Sequence, residues 1–426
     1  MFGASFNIIS QALEVYKKMI DVKNRNIANA QEENYVAEEP VVQSDLYSGI
    51  TFQEVRRIQN FNFINTRNEK LSYVSYLEER RDYLSKLESV FQELSQGNGL
   101  IDYVNRFFQS YQELMKEPTN EGAKSQFLES AKMLVKTIKS RYGELTRSYN
   151  EIDYTINDYV RKVNELVKKI YKINKEIFFK YAQTKVRGED YKTLLDQRDK
   201  YLKELSQYIN VRAQEDELGR IKVYTSKGFV LVDFSENFFT LKYEGGKLIY
   251  EKDESDITNV VESGQIKGLI DAKGDIENLI NKLDNLRDYL VNNVKIPVNG
   301  GGEASVFSGA SINDFEVDAN LETNLGNLDF SRTQDYAQNA LTWWEEAKGR
   351  TKDITNYVAT QKNALDSEYE VEKALYDSLE KKILERQGVS IDQEFMEIMQ
   401  IQKNYEAVAK ILPRIDEMFR TLLNMV

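Results

Sequence analysis

The chain has 426 residues, no cysteine, no histidine and a formal net charge of −12, from 57 lysines and arginines against 69 aspartates and glutamates. The absence of cysteine and histidine excludes a disulfide, the usual zinc, haem or iron ligands, and a Ser/His or Cys/His nucleophile pair. No cofactor is expected. Basic residues are interleaved with the acids and form no basic face, so neither nucleic acid nor a membrane surface is expected as a partner.

The first predicted helix covers Met1 to Ala30 and carries an apolar seam with steps of three and four residues, the spacing of a coiled coil. At about 1.5 Å per residue this seam is roughly 40 Å long, so it needs a long partner helix. Lys23 takes the one polar seam position, and Ile8, Val15 and Met19 form a second apolar face beside it. The seam residues are Phe2, Phe6, Ile9, Leu13, Tyr16, Ile20, Ile27 and Ala30.

The residues from 31 to 66 contain short alternating apolar pieces and are predicted to form an extended or partly stranded linker. Helical spacing returns at Asn68, and a stop signal follows at Gly97-Asn98-Gly99. Three more helices are predicted: one from Leu100 to before Pro118, a longest one through residues 127–177, and one over residues 191–208. Long apolar stripes on all four indicate a bundle of rods.

The composition changes between residues 211 and 335, where glycine-containing turns separate short alternating strands and one helix interrupts them. Gly300 to Gly302 lacks the lysine and helix of a phosphate loop and is predicted to be a hinge or loop. From Asp314 to Glu322 acidic and apolar residues alternate, which predicts a strand with one solvated face; a calcium site is the less favoured interpretation.

The chain returns to helix from Lys352 to Arg386, and the last helix is predicted from Gly388 to Val426. Pro413 lies inside the last helix, where a proline costs roughly 3 kcal/mol, so a bend or break is expected near Lys410 to Leu412. The seam of the last helix matches that of the first, and the two are expected to pair. Its residues are Ile391, Phe395, Ile398, Ile401, Tyr405, Val408, Leu412, Ile415, Phe419, Leu422 and Val426.

These elements predict a mainly α fold with a β-rich insertion. A terminal coiled-coil domain with its linker is expected from residues 1–66 and 389–426. A helical rod domain is expected from residues 67–210 and 336–388, and a β-rich tip domain from residues 211–335. The paired Trp343 and Trp344 at the return boundary are interpreted as core rather than as an exposed anchor.

Both ends of the chain resemble bacterial flagellar axial proteins. Asn26-Ile27-Ala28-Asn29-Ala30, with Tyr35 after it, is similar to the signature that ends their first helix, although their Pro-Gly before the tyrosine is absent here. Gly388 to Glu394, Gln400 to Ala407 and the closing Leu422 to Val426 resemble their C-terminal helix. The first and last helices are thus expected to form an axial protein's terminal domain.

Two inner stretches narrow the resemblance to the family of hook-associated protein 1, the first hook–filament junction protein. Leu194-Leu195-Asp196-Gln197-Arg198-Asp199 resembles its "LLDQRD" segment, and Phe315 to Leu321 resembles the strand before its return to helix. The resemblance implies a structural subunit, exported unfolded by the type III route and placed outside the cell at the hook–filament junction. It implies four partners: hook protein, the second junction protein, copies of itself in a ring, and an export chaperone on the C-terminal helix. Enzymatic activity is not expected, because the sequence alone defines no catalytic site.

The terminal seams are the predicted subunit interface, and their helices are expected to be mobile in the free monomer. The alternatives are a self-sufficient helical hairpin, another axial protein (hook-associated protein 3 or a flagellin), a cytosolic coiled-coil scaffold, and an enzyme with a deep acidic pocket in the β-rich segment. No apolar run is long enough to span a bilayer, and no Sec-type signal is expected.

Overall fold

The computed structural model describes residues 2–32, 35–45, 49–91, 97, 99–184 and 189–423. The side chains of the predicted seam residues Phe2, Phe419 and Leu422, and all of Val426, lie outside this described part. The helices are α1 (Phe2–Ala28), α2 (Phe61–Phe91), α3 (Leu100–Lys116), α4 (Glu121–Thr184), α5 (Glu189–Tyr208), α6 (Gln265–Asn293), α7 (Leu321–Gly326), α8 (Thr333–Gln387) and α9 (Ile391–Leu423).

The strands are short and form antiparallel sheets between neighbours in sequence. β1 pairs with β2, β3 to β6 form a four-stranded sheet in chain order, β7 to β9 form a three-stranded sheet, and β10–β11 and β12–β13 are two further pairs. Their bounds are β1 (Glu38–Asp45), β2 (Gly49–Arg57), β3 (Val211–Glu215), β4 (Ile221–Thr225), β5 (Val230–Asp233), β6 (Asn237–Phe238), β7 (Leu241–Glu244), β8 (Lys247–Tyr250), β9 (Ser255–Asp256), β10 (Lys295–Val298), β11 (Gly302–Ser305), β12 (Phe307–Ser308) and β13 (Glu316–Val317).

The mainly α fold with a β-rich insertion is confirmed. α1 packs on α9 and on the β1–β2 hairpin, and the remaining long helices pack on one another as a helical body. The longest helix of the described chain is α4, with 64 residues, as its four-three apolar spacing predicts. The predicted linker is in fact a hairpin with a bulge between Val41 and Val42, and it belongs to the terminal helices rather than to the body.

The β-rich segment shares the hydrophobic core of the helices. Ile221, Leu241 and Phe315 belong to the same buried cluster as Leu84 of α2 and Ile156 of α4. The interrupting helix α6 packs along α2, α4 and α8. The three-part division of the chain stays a prediction, and the shared core favours its second and third parts folding as one unit.

Two helices begin earlier than their apolar stripes predict. α2 begins at Phe61 rather than Asn68, because the Asn60 side chain accepts a hydrogen bond from the backbone N–H of Asn62 at 3.0 Å and caps the helix there. α8 begins at Thr333, and both tryptophans lie half-buried on its first turns. Trp344 stacks on Phe108 of α3, which fits the core interpretation.

The predicted strand from Asp314 to Glu322 is wrong. Only Glu316 and Val317 pair as a strand, and a turn then leads into α7 at Leu321. Phe315 and Leu321 are the buried members and anchor this irregular path in the core. Alternation of acidic and apolar residues therefore arose from a turn and a helix start instead of from a pleated strand.

The predicted break near Pro413 is also wrong, because α9 continues from Ile391 to Leu423 through this residue, while the alternative of a bend stays a prediction. Pro413 is exposed, but its ring still removes one backbone hydrogen bond and crowds the carbonyl one turn earlier in the same helix. The glycine run forms the turn between β10 and β11, where Gly300 and Gly301 have positive φ angles of 88° and 78°. No described helix has the length and apolar character needed to cross a bilayer.

Candidate interaction site

The first and last helices pack side by side, and the buried Lys23 joins them through ion pairs with two glutamates. The Lys23 ammonium lies 2.5 Å from a Glu397 oxygen and 3.3 Å from a Glu394 oxygen. Burial disfavours the charged ammonium, but the hydrogen bond to Glu397 and the charge of Glu394 outweigh it and raise the pKa of Lys23. The polar residue that the sequence places within the seam therefore sets the register of α1 against α9.

Within α1 the buried face is not the predicted seam but the apolar face beside it. Ala12, Val15 and Val22 are buried, together with the polar Asn26. Small side chains on this face let α9 and the hairpin approach the α1 backbone closely. The predicted residues stay half-buried or exposed, with Phe6 48% exposed; the half-buried ones are Ile9, Leu13, Tyr16, Ile20 and Ile27.

Within α9 the predicted seam is split. Ile398 and Ile401 are buried, whereas Phe395 and Tyr405 are 52% and 38% exposed. Val408, Leu412 and Ile415 are half-buried. The predicted seam residues thus describe a stripe that the single chain covers only in part.

Large apolar side chains gather on one exposed side of α9. We define the outer face of α9 as Ile391, Phe395, Met396 and Met399, which are 41%, 52%, 60% and 53% exposed. The residues at positions 391, 395 and 399 recur every four residues and so lie on one side of the helix. An apolar stripe of this kind on a helix is typical of a protein–protein contact.

A groove of about 850 Å³ runs between α1, the start of the hairpin, the end of α8 and the start of α9. Met19, Ile58 and Met396 give it apolar walls, and Glu394 and Lys23 lie among the lining residues. The outer face of α9 and this groove together form a surface with both apolar and charged contacts available.

The flagellar signature residues hold the hairpin on α1. Asn26 has no exposed surface, and its side-chain amide donates to the Glu38 carbonyl while its side-chain oxygen accepts from the Glu38 N–H, both at 2.9 Å. The Tyr35 hydroxyl donates to the same Asn26 oxygen at 2.9 Å. Asn29 donates to the Arg25 carbonyl near the end of α1, at 2.9 Å, and Ala28 is the last helical residue.

Asn26→Leu is expected to release the hairpin while leaving α1 helical, because the N–H and carbonyl of Glu38 and the Tyr35 hydroxyl would lose their common partner. Unpaired buried groups cost about 1 to 3 kcal/mol each, so hydrogen exchange at the hairpin amides should speed up by roughly ten-fold or more. Asn24→Leu, at an exposed position of the same helix, is the control. Unchanged exchange at Glu38 in Asn26→Leu would contradict this role.

The "LLDQRD" segment of α5 supplies a buried ion network. Arg198 has no exposed surface; its guanidinium donates to Asp199 at 2.6 Å and to Glu215 of β3 at 2.6 Å. Burial alone would raise the pKa of Asp199, but the charges of Arg198 and Arg57 outweigh it and lower that pKa. The motif that carries the resemblance is therefore structural, because its charges are used to join α5 to the neighbouring elements.

The same segment contacts the terminal unit, by which we mean α1, α9 and the β1–β2 hairpin. Arg57, the last residue of β2, donates to Asp196 at 2.5 Å and to Asp199 at 3.1 Å. In a second contact α5 supplies the cation: the Lys192 ammonium lies 2.7 Å from a carboxylate oxygen of Glu38 in β1. The Glu38 carboxylate also accepts a hydrogen bond from Arg25 of α1 at 3.1 Å. These cross-element pairs were not foreseen from the sequence, because their members are far apart along the chain.

The described residues offer no group of three or more acidic side chains that could hold a metal ion. Grooves in the described part of the structure border the terminal unit, the turn at Asp216 to Gly219 and the base of the insertion near Glu262. The groove at this turn is lined by Glu215, Asp216 and Glu217 but also by Arg56, Arg57 and Lys192, so acidic and basic side chains are mixed there.

Comparison with known proteins gives two matches to family models. The model described as the flagellar hook-associated protein FlgK helical domain matches residues 84–296. The model described as the flagellar basal body rod FlgEFG protein C-terminal matches residues 380–425, which include α9. No curated protein matches the sequence.

One similar solved structure is that of the flagellar hook junction protein FlgK from Burkholderia pseudomallei. The two chains are 17% identical, with a TM-score of 0.49. The match covers 57% of the present chain and 46% of the other, so the present chain spans less than half of that relative.

Proposed function

Because the chain belongs to the family of the flagellar hook-associated protein FlgK, we propose that it is a structural subunit of the bacterial flagellum that joins the hook to the filament. The observation that carries this proposal is the terminal unit, whose helices are paired within the chain but keep an apolar outer face. A subunit of an axial assembly needs such a face, because its own fold must leave area for neighbouring subunits.

The protein acts by binding to neighbouring subunits, and no chemical reaction is involved. Copies of the chain form a ring and cover the outer face of α9 and the half-buried stripe of α1, with the hook protein on one side and the second junction protein on the other. An export chaperone holds α9 before secretion, and the assembled protein lies outside the cell. The terminal helices order fully only when neighbours bury them, since a lone helix pair of this kind is marginal.

Two alternatives can be weighed against these observations. Hook-associated protein 3 and flagellin share terminal helices with the family, but the match over residues 84–296 is to the helical domain of FlgK. A cytosolic scaffold would need terminal helices that bury their apolar faces within one dimer, and the FlgEFG-type match over residues 380–425 favours an axial protein instead.

The test is deletion of the gene in the source bacterium, followed by electron microscopy of the flagella. Hooks without filaments, with unassembled flagellin in the medium and filaments restored by the intact gene, are the expected result. Antibody against this chain should label the hook–filament boundary of isolated flagella. Filaments of normal number and length on the deletion strain, or a protein found only in the cytosol, would overturn the proposal.

A further inference from the structure

The terminal unit meets the helical body through a narrow and polar contact. Its helices and hairpin pack extensively on one another and only sparsely on the helices of the body. The chain crosses between them at residues 58–60 and 388–390, and near these crossings the Ala37 N–H donates to the Gln387 carbonyl at 2.8 Å. Polar contacts of this kind between two parts of a chain permit relative motion unless something restrains it.

Two ionic contacts close to the crossings supply such a restraint, and they have opposite polarity. In the first contact the terminal unit supplies the cation: Arg57, with 8% of its side chain exposed, forms ion pairs with Asp196 and Asp199. In the second contact the terminal unit supplies the anion: Glu38, with 3% of its side chain exposed, forms an ion pair with Lys192. A shift of the hairpin along α5 would bring like charges together, so this arrangement favours one register.

Open space borders these contacts on both sides. One groove, lined by Arg57, Lys192 and Gly219 among others, has a volume of about 260 Å³. The other, lined by Glu38, Lys192 and Asp196 among others, measures about 520 Å³. Apolar packing therefore contributes little to holding the two parts together at this point, and the charged side chains must fix their relative position.

We propose that Arg57 and Lys192 are positioning residues, which hold the hairpin against α5 and so fix the angle between the terminal helix pair and the helical body. Partly buried ion pairs add little net stability, since the loss of hydration offsets much of their attraction, but they discriminate strongly between geometries. The inference concerns the free chain and does not depend on the proposed function.

The absence of cysteine allows a direct test by pulsed electron spin resonance on the full chain. Spin labels at Ser44→Cys in the hairpin and Ser367→Cys in α8 report the distance between the terminal unit and the body. Labels at Ser140→Cys in α4 and Ser367→Cys report the body alone. All three serines are exposed in the structure, so labelling disturbs no packed contact.

Arg57→Gln and Lys192→Gln are each expected to widen the distribution of the Ser44–Ser367 distance by roughly two-fold, with no change in the Ser140–Ser367 distance. Lys200→Gln, at an exposed position about two turns further along α5, is the matched control and should leave both distributions unchanged. Unchanged hairpin distances in both variants would overturn the proposal. Widening of the body distance as well would also overturn it, because these residues would then support the fold of the body.

Discussion

Replacing Asp199 by asparagine is expected to lower the free energy of opening of α5 by about 3 kcal/mol, the usual cost of removing one partner from a buried ion pair. Asp199 is the shared acceptor of the network: it receives hydrogen bonds from Arg198, Arg57 and Gln59. Arg198 has no exposed surface and cannot lose its proton, so without Asp199 a full charge would remain buried with only Glu215 and backbone oxygen around it. Native-state hydrogen exchange of the α5 amides measures this, and a rise of roughly 100-fold in their exchange rate is expected.

Asp196→Asn, three residues earlier on the same helix, is the control and should cost little at pH 7.5. Burial, together with the nearby charges of Asp199 and Glu38, raises the pKa of Asp196 to about 6 in spite of the Arg57 guanidinium. A carboxyl group whose pKa is higher in the folded than in the unfolded chain destabilises the fold when it is ionised. That cost is present above pH 6 and disappears as the pH falls towards 4.

At pH 7.5 the free energy of opening of α5 in Asp196→Asn is therefore expected to equal that of the natural chain or to exceed it by about 1 to 2 kcal/mol. The difference should vanish near pH 4. Equal losses of protection in the Asp196 and Asp199 variants at pH 7.5 would contradict the assignment of separate roles to the two carboxylates.

The double variant Phe395→Asp with Met399→Asp is expected to abolish assembly while leaving the monomer folded. Both side chains are more than half exposed, so their replacement removes little buried area within the chain. In an assembled ring the same positions would place two charges against apolar neighbours, each costing several kcal/mol. Complementation of the deletion strain measures the effect, and filament number should fall to that of the deletion itself.

Asn356→Asp with Thr360→Asp is the matched control. It adds the same two charges at the same spacing on exposed positions of α8, away from the outer face of α9. Circular dichroism should give equal helix content for both double variants. Loss of filaments in the control as well would show that added charge, rather than loss of the apolar outer face, prevents assembly.

The sequence by itself determined the identity and order of the long elements. Steps of three and four apolar residues located α3, α4 and α5, and glycine-containing turns located most strands of the β-rich segment, because these signals depend on local geometry. Short motifs at the two ends and in α5 indicated the family. The absence of cysteine and histidine excluded whole classes of site before any fold was known.

Only the tertiary structure decided which face of each terminal helix is buried. α1 has two adjacent apolar stripes, and periodicity cannot choose between the stripe of Val15 and Val22 and that of Tyr16 and Ile20, since both follow steps of three and four residues. Which stripe is buried depends on the small side chains and on Asn26. Asn26 donates a hydrogen bond to Glu38, and no local sequence pattern reveals this contact. The ion pairs between Arg57 and the α5 carboxylates likewise join residues more than a hundred positions apart, and only the folded chain brings such residues together.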